Sequence, residues 1–289
     1  MIGAALTNLL IAKGYRVMIF TRKGRPSKDN LVYSEWDPSK YKIDPRDVRQ
    51  ADHIIHLVGA NVGEKRWTKK RKREIVDSRV QGGETIIKAL REVPNNVQTF
   101  VSASAIGWYG PDAGRPFVET DSRSSDFLGD TCGKWEASIA PAAALGKRLV
   151  IIRTGIVFSN TGGAFPEFKK PLKAGVAAIL GSGKQKVSWI HLDDLCRLYL
   201  YAIEQKSMNG VFNGVAPEVV SNRQLMMKLA RRRHRPFIPI HVPAFALKLF
   251  LGEMSVEVLK STTVDDSRLR SFGFNFLFPT LDAALGDLV

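Results

Sequence analysis

The sequence predicts an α/β protein built on a doubly wound parallel sheet, with a smaller lobe in its C-terminal part. Apolar segments typical of buried strands alternate with helical segments through the first 160 residues. This alternation is the pattern of a parallel sheet with helices on both faces. Beyond residue 160 the alternation loosens, and glycine-rich stretches at residues 162–163 and 181–183 mark loops.

Each element of the first part follows from a local pattern. Gly14 is a typical helix stop, so it ends a helix over Ile2–Ala12 and introduces a strand over residues 15–20. Residues 53–58 form an apolar run of the kind found in strands buried on both faces. Pro141 is expected to kink the helix in which it lies. The other elements expected here are helices over residues 69–90 and 131–145 and strands over residues 97–105 and 148–158.

The second part has fewer strand signals and more helix signals. Ser221 is expected to be the N-cap of one of its helices. Residues 1–160 are therefore predicted to form a dinucleotide-binding domain, and residues 161–289 a mixed substrate and C-terminal lobe in which residues 240–289 are a small helical domain. The elements expected are a short strand over residues 187–190 and helices over residues 193–204, 221–232, 242–251 and 255–261.

A doubly wound sheet opens with a strand, a glycine-rich turn and a helix whose N-terminus faces the pyrophosphate of a dinucleotide. This chain opens on the helix, and Gly3 matches the third glycine of a turn of the form G-x-x-G-x-I-G. We therefore expect the domain to be incomplete at its N-terminus, with a start assigned at an internal methionine or a degenerate gene. The strands over residues 15–20 and 53–58 would then have open edges. An ordinary N-terminus is the alternative.

Composition excludes several classes of protein. The 289 residues suffice to bury a sizeable core. The only cysteines are Cys132 and Cys196, so a disulfide scaffold is excluded, a cytoplasmic location is expected, and Cys196 is expected in the core. No apolar run approaches the roughly 20 residues that span a bilayer, and no signal peptide is recognisable, so no membrane partner is expected.

The chain is strongly basic, with a formal net charge of +15. The densest basic segments are residues 65–73, which read K-R-W-T-K-K-R-K-R, and residues 231–235. Such charge is typical of proteins that bind nucleic acid or an anionic surface. Because no nucleic-acid-binding motif accompanies it, we expect a solvated face that attracts a phosphate-bearing ligand, and nucleic acid is the less favoured partner.

Several short motifs match one known family in their order and spacing. Along essentially its whole length the chain resembles a subgroup of atypical extended short-chain dehydrogenases, described as epimerase-family proteins of unknown substrate. The resemblance includes the subgroup's small C-terminal domain, through V-P at residues 242–243, L-G-E-M at 251–254 and G-F-N-F at 273–276. The other motifs are V-G-A-N at residues 58–61, K-R-W-T at 65–68, S-R-V at 78–80, S-A-S-A-I-G-W-Y-G at 102–110, R-T-G-I-V at 153–157, W-I-H-L-D-D at 189–194 and N-G-V-A-P-E at 213–218.

The resemblance implies a catalytic helix whose usual residues are replaced in this chain. Extended family members use a tyrosine as general acid or base and a lysine four residues later, with a serine at the end of the preceding strand. The matching positions hold Cys132 and Glu136, one helical turn apart, and Ser104 matches the serine. We expect these three residues to form the catalytic group. The replacement resembles the pattern of the subgroup.

Two interpretations of this group stay open. A thiol could exchange protons near neutral pH, but a neighbouring carboxylate would raise the pKa of Cys132, so Glu136 could itself be the acid or base. Alternatively, Cys132 is a buried small residue and Glu136 is a surface or ribose-contacting group. Tyr109 and His191 are weaker polar candidates that are more often structural. No cluster of residues has metal-ligand spacing, so no metal is expected.

The end of the strand over residues 15–20 indicates the cofactor. NAD-specific folds place an acidic residue there to bind the ribose hydroxyls. This chain has Thr21, Arg22 and Lys23, and its two basic residues can bind a ribose phosphate, so NADP is expected and NAD is the alternative. Two solvated basic residues are the competing interpretation. The resemblance adds the other expected cofactor-binding residues, which are Gly3, Val58, Gly59, Ala60, Ser102 and Arg153.

These observations favour an NADP-dependent oxidoreductase or epimerase-like enzyme that acts on a small sugar or polyol, free or nucleotide-linked. The alternative is a non-catalytic NADP-binding sensor or scaffold, because both usual catalytic positions are replaced. A basic protein that binds RNA through residues 65–73 is the least favoured interpretation. The expected partner is a small molecule, and the sequence leaves a homodimer open.

Overall fold

A computed structural model describes all 289 residues of the chain. Short 3-10 turns lie at Pro38–Lys40, Ile106–Trp108 and Gly252–Met254. The helices are α1 Ile2–Ala12, α2 Pro45–Arg49, α3 Lys69–Glu92, α4 Phe127–Ile139, α5 Pro141–Ala144, α6 Phe165–Lys173, α7 Leu192–Glu204, α8 Asn222–Arg232, α9 Ala244–Leu251, α10 Ser255–Leu259, α11 Ser267–Ser271 and α12 Leu281–Leu288. The strands are β1 Val17–Thr21, β2 Leu31–Asp37, β3 Lys42–Ile43, β4 His53–His56, β5 Thr99–Ala105, β6 Arg148–Thr154, β7 Ile156–Phe158, β8 Val176–Leu180, β9 Lys186–Val187, β10 Trp189–His191, β11 Gly210–Gly214, β12 Val220–Ser221 and β13 Ile238–Val242.

The main sheet has four parallel strands in the order β11-β6-β5-β4. A separate sheet pairs β1 with β2 in parallel, and the short β3 lies antiparallel to β2. The predicted parallel α/β architecture is therefore confirmed. Both β1 and β4 have one edge without a paired strand, and these are the two strands for which the sequence predicts open edges.

Helices cover both faces of the main sheet because its strands alternate between two apolar layers. Along β5, Phe100 faces the layer formed by α3, α4 and α5, and Val101 faces the layer formed by α1 and α7. Both side chains are fully buried. None of the helices is both long and apolar enough to cross a membrane.

The sequence pattern misses four strands of five residues or more, which are β2, β8, β11 and β13, and the two-residue strands β3 and β12. β2 reads L-V-Y-S-E-W-D and buries only Trp36 fully, so it lacks the apolar run of a buried strand. β11 begins and ends with glycine, which is unfavourable in strands, yet it pairs with β6 over all five residues. The expected single helix around Pro141 is also wrong, because α4 ends at Ile139 and the proline begins the separate helix α5.

The second half of the chain contributes to two cores. β11 and α7 return to the main sheet and pack in its core. A second core combines Phe158, Phe165 and Trp189 with apolar residues of α8 and α12. The main sheet therefore includes residues from both sides of the boundary predicted at residue 160. Ser221 caps α8 as predicted, in a reciprocal pair of hydrogen bonds with Gln224.

The start of α4 approaches the preceding loop closely, and a glycine makes this approach geometrically feasible. A Cβ atom at Gly129 would overlap the backbone carbonyl of Ser124. One turn later, a Cβ atom at Gly133 would lie 2.9 Å from Cδ of Arg123, which is a flexible side chain at the surface. The backbone clash can only be relieved by moving α4 or the loop.

These two glycines provide a matched pair of variants. Gly129→Ala is expected to destabilise the protein by about 1–3 kcal/mol, because overpacking displaces the helix. Gly133→Ala is expected to be neutral or to stabilise by up to about 1 kcal/mol, because alanine favours helix and Arg123 can move aside. Urea unfolding of both variants measures the difference, and equal midpoints would contradict the close approach.

Candidate active site

The polar centre of the structure is a row of side chains across the main sheet. Ser104 on β5, Arg153 on β6 and Asn213 on β11 occupy paired positions on adjacent strands. They lie near the carboxyl ends of the strands, where open parallel sheets bind their ligands. Glu136 reaches this row from α4, whose N-cap Asp126 accepts a hydrogen bond from Gly129 N.

Glu136 and Arg153 form a buried, bidentate ion pair. Arg153 donates from Nε to Glu136 Oε1 and from Nη2 to Oε2, both at 2.9 Å. Ser104 Oγ donates to Glu136 Oε1 at 2.6 Å. The side chains of Arg153 and Glu136 are 3% and 10% exposed, so water screens this pair only weakly. The structure thus brings Ser104 and Glu136 together, as the sequence predicts, and adds Arg153 to the pair.

Arg153 also organises the loop that follows β5. Its Nη1 donates to the carbonyl oxygen of Glu119 and to the hydroxyl of Tyr109, both at 3.1 Å, and its guanidinium lies 3.7 Å from the ring centroid of Trp108. Burial alone would lower the pKa of Arg153, but the hydrogen bonds and charge of Glu136 outweigh burial and raise it. The guanidinium of Arg153 therefore contacts protein groups through all three of its nitrogens and through its flat face.

Tyr109 is a structural member of the same network. Its hydroxyl donates to Asn213 Oδ1 at 2.7 Å, and its ring stacks on Phe117 at 5.1 Å. Burial raises the pKa of Tyr109 to about 12, although Arg153 and Asn213 act in the opposite direction. A fully buried phenol with such a pKa keeps its proton and serves as a fixed hydrogen-bonding group.

Cys132 lies one turn before Glu136 and is also buried. Burial is the main cause that raises the pKa of its thiol to about 12, and the charge of Glu136 adds to the effect. The sulfur lies 3.7 Å from the carbonyl oxygen of Ala105, to which the thiol donates. A thiol in this state holds its proton at neutral pH and acts as a fixed hydrogen-bond donor.

Ser102 lies two residues before Ser104 and faces the same helical layer. Its hydroxyl lies 3.1 Å from Nδ1 of His56 on β4, a histidine to which the sequence analysis assigns no role. Burial, with a smaller contribution from the charge of Arg79, lowers the pKa of His56 to about 4. His56 is therefore neutral at physiological pH. Ser102 and His56 form a buried pair that is separate from the Ser104–Glu136 contact.

The loop after β4 holds the expected residues Val58, Gly59 and Ala60 against α3. Ala60 N donates to Ser78 Oγ at 2.9 Å, and Arg79 donates to the carbonyl oxygen of Ala60 at 3.1 Å. A Cβ atom at Gly59 would lie 2.9 Å from Cζ of Arg79, so this arginine covers the loop. The S-R-V motif marks these residues in the sequence, but only the packing of α3 reveals their contact with the loop.

The end of β1 is an exposed basic corner. Arg22 and Lys23 are exposed and belong to no ion pair, and Thr21 is half-buried. Glu35 is the register partner of Thr21 on β2, and its carboxylate accepts a hydrogen bond of 2.7 Å from Gly24 N. Gly3 lies in the first turn of α1, next to Leu57 after β4. These positions share the carboxyl edge of the strands.

His191 is a buried helix cap. Its Nδ1 accepts a hydrogen bond from Asp193 N at 3.2 Å, its ring lies 3.9 Å from that of Phe278, and Nε2 lies 3.3 Å from a carboxylate oxygen of Asp287. Donor atoms of His191, Asp193 and Asp287 lie within 4.8 Å of one another, which would suit a metal ion. However, an Nδ1 that accepts a backbone N–H leaves the proton on Nε2, so neither nitrogen has a free lone pair for a metal.

The basic segment at residues 65–73 is only partly a solvated face. Arg71 is buried and donates to Glu74 at 2.8 Å, to Glu64 at 3.1 Å and to the carbonyl oxygen of Asn61 at 2.5 Å. Lys72 pairs with Glu253. The other cations of the segment are exposed.

Comparison with known protein families agrees with this architecture. The NAD dependent epimerase/dehydratase family matches residues 1–213. The chain belongs to this family. Residues 242–288 match a domain of unknown function, DUF1731, and this match coincides with the predicted small C-terminal domain.

Relatives within the epimerase/dehydratase family cover the whole chain. An epimerase family protein of Staphylococcus saprophyticus is 37% identical over 291 residues, covering 100% of this chain and 96% of the relative. An epimerase family protein of Mycobacterium tuberculosis is 33% identical over 287 residues, covering 99% of this chain and 93% of the relative. Both names give the family without a substrate.

Solved structures of the family have the same fold. The human epimerase family protein SDR39U1, solved with NADPH, superposes with a TM-score of 0.87 at 27% identity, covering 100% of this chain and 95% of that chain. A nucleoside-diphosphate sugar epimerase from Corynebacterium glutamicum gives a TM-score of 0.77 at 30% identity, covering 99% of this chain and 55% of that chain.

The Glu136–Arg153 pair predicts a large stability difference between two arginine variants. Arg153→Met is expected to cost about 3–5 kcal/mol, because it leaves the carboxylate of Glu136 buried without its partner. Arg153→Met with Glu136→Gln should recover part of this loss, because the double variant has no unpaired charge. Arg46→Met, which breaks the exposed pair with Asp44, is the control and should lose little stability. Guanidinium unfolding measures all three, and an Arg153→Met loss as small as the control's would contradict the buried pair.

Proposed function

We propose that this protein is an NADP-dependent oxidoreductase or epimerase-like enzyme that acts on a hydroxyl group of a small sugar or polyol. The observation that carries the proposal is the 2.6 Å hydrogen bond from Ser104 Oγ to Glu136 Oε1 near the carboxyl edge of the sheet. A serine hydroxyl that donates to a carboxylate can still accept a hydrogen bond from a substrate hydroxyl. The pair therefore offers a path for the proton that alcohol oxidation releases.

The residues at the carboxyl edge fit an NADP cofactor. Arg22 and Lys23 are exposed cations without a carboxylate partner, which suits a ribose phosphate. Gly3 lies in the first turn of α1, where free backbone N–H groups favour a pyrophosphate. The human protein of similar fold was solved with NADPH, which supports the same cofactor here. When bound, NADP would supply the hydride acceptor or donor.

The protein's own residues would handle the proton. Ser104 Oγ would accept the hydrogen bond of the substrate hydroxyl while its own hydrogen passes to Glu136 Oε1. Arg153 binds both carboxylate oxygens, and this orients Oε1 towards Ser104. In the reducing direction the same atoms return the proton to the substrate oxygen. Cys132 contributes packing, since its thiol keeps its proton at neutral pH.

The substrate class follows from the chemistry and from the relatives. Serine and carboxylate groups recognise hydroxyls, and a sugar or polyol offers several of them. The structural neighbour from Corynebacterium glutamicum is a nucleoside-diphosphate sugar epimerase, which supports a nucleotide-linked sugar as one form of the substrate.

A non-catalytic NADP-binding function is the second candidate, and one observation favours it. The oxygens of Glu136 accept three hydrogen bonds, all from protein groups, and the side chain is only 10% exposed. A carboxylate engaged in this way can hold α4 on the sheet without exchanging protons. The two candidates differ in whether hydride transfer occurs.

The first prediction of the proposal concerns cofactor choice. NADPH is expected to bind more tightly than NADH, and Arg22→Ala should weaken NADPH binding by about 10- to 100-fold through loss of a charge-assisted contact. NADH binding should change little. Lys13→Ala is the control, because Lys13 is an exposed cation at the opposite end of α1. Fluorescence titration measures these affinities, and equal affinity of the unmodified protein for both cofactors would refute the assignment.

The second prediction concerns proton transfer. With a panel of sugars, nucleotide sugars and polyols, Ser104→Ala and Glu136→Gln should lower kcat by about 10²- to 10⁴-fold, the usual contribution of a general acid or base. The kcat of Cys132→Ala should stay within a few-fold of that of the unmodified protein. The measurement is NADP reduction by absorbance, with NADPH titration as a check that each variant is folded.

Two outcomes would redirect the proposal. Turnover lost in Cys132→Ala but kept in Ser104→Ala would move the chemistry to the thiol. Tight NADPH binding without turnover of any substrate in the panel would favour the non-catalytic candidate.

A further inference from the structure

The helix α9 and its neighbour α10 expose an unusual amount of apolar surface. Six of the ten large exposed apolar side chains of the protein lie between residues 238 and 256. On α9, Phe245, Leu249 and Phe250 are 75%, 70% and 73% exposed, and Val256 on α10 is 54% exposed. Single exposed apolar residues are common on soluble proteins, but a cluster of this kind marks an interaction site.

The arrangement on α9 is that of a helix attached by one side only. Leu247 is its single buried residue. Phe245 and Leu249 are four residues apart and share one face, which points away from Leu247. Phe250 flanks this face on one side and Lys248 flanks it on the other. The helix therefore presents an apolar stripe with a cation beside it.

The basic segment at residues 65–73 contacts the chain directly after α9. A Cβ atom at Gly252, directly after α9, would lie 3.1 Å from Nη2 of Arg66, and Lys72 pairs with Glu253. The acidic residues here are already paired, Glu253 with Lys72 and Glu257 with Lys260. In residues 65–73 and α9, the exposed cations left without a carboxylate partner are Lys65, Arg66, Lys69, Lys70, Arg73 and Lys248.

The position of these cations is unfavourable for the local helix. Lys69 and Arg73 lie in the first turns of α3, and the first turn holds no acidic residue. The N-terminus of a helix carries a partial positive charge, so cations there reduce helix stability. The local structure of α3 thus does not explain why so many cations lie here, whereas the binding of an external anion would explain it.

We infer that this composite surface binds an anionic lipid bilayer. The surface consists of the apolar residues Phe245, Leu249, Phe250 and Val256 and the unpaired cations named above, and we call it the α9 surface. Apolar side chains would enter the boundary between headgroups and acyl chains, and the cations would contact lipid phosphates. Binding at the surface needs no membrane-spanning segment, and the lack of such a segment is what the sequence-based expectation of no membrane partner rests on.

Charge decides between a bilayer and the other occupants. A second copy of the chain would bring two basic surfaces together, each on a protein of net charge +15, and like charges oppose that contact. RNA would pair with the cations but would leave the aliphatic side chains Leu249 and Val256 without a stacking partner. An anionic bilayer satisfies both the apolar stripe and the cations.

The test is co-sedimentation of the full chain with lipid vesicles. One set of vesicles is phosphatidylcholine alone, and in the other about a third of the lipid is phosphatidylglycerol. We expect binding to the anionic vesicles only, and weaker binding as salt is raised. The variant F245S/L249S/F250S should weaken binding at least about tenfold, and K65Q/K69Q should weaken it on the order of tenfold to thirtyfold.

Two matched controls separate the α9 surface from general effects. K88Q/R91Q removes the same number of exposed charges from the other end of α3, and L277S removes an exposed apolar side chain elsewhere. Both should bind like the unmodified protein. The inference is overturned by equal binding to neutral vesicles, by unchanged binding of F245S/L249S/F250S, by a dimer in sedimentation that this variant dissociates, or by RNA binding through Lys65 and Lys69 without vesicle binding.

Discussion

The ion pair between Glu136 and Arg153 connects the parts of the protein that meet at the candidate site. Glu136 belongs to α4 and Arg153 to β6, and the arginine also binds the loop after β5 through Tyr109 and Glu119. A buried pair is stabilising only when its remaining hydrogen-bonding groups are also satisfied. Ser104 donates to Glu136, and Tyr109 accepts from Arg153, so both members of the pair have further hydrogen-bond partners. The position of α4 on the sheet therefore depends on the same contacts that would orient a reacting hydroxyl.

By resemblance to extended family members, Cys132 and Glu136 stand where a tyrosine and a lysine are usual. Cys132 and Glu136 occupy the same face of α4 and both are buried, but their hydrogen-bond partners differ. The thiol has a pKa of about 12 and keeps its proton, while the carboxylate has a serine donor on one oxygen and an arginine across both. Under the proposed function, Glu136 rather than Cys132 is the residue of α4 that handles the proton.

Two sides of the C-terminal domain have different surroundings. Residues 242–288 match a domain of unknown function, and their first helix, α9, packs through a single buried leucine. Asn213 of the site row donates to the carbonyl oxygen of Asp265 at 3.1 Å, so this domain also supports the site. One side of the domain thus completes the core, and the other side carries the apolar stripe of the α9 surface.

The sequence by itself determined the parallel α/β architecture, the cap at Ser221, and the placing of Cys132 and Glu136 on one face of a helix, because periodicity, capping and one-turn spacing are local properties. It did not determine β2 or β11, whose polar and glycine residues are tolerated only because neighbouring strands pair with them. The contacts of Arg153 with Glu136 and of His56 with Ser102 were also decided by tertiary structure, since the packing of α4 on the sheet and the register of β4 with β5 bring together residues far apart in the chain. Burial then set the pKa values of Cys132 and His56, and burial is a property of the packed structure.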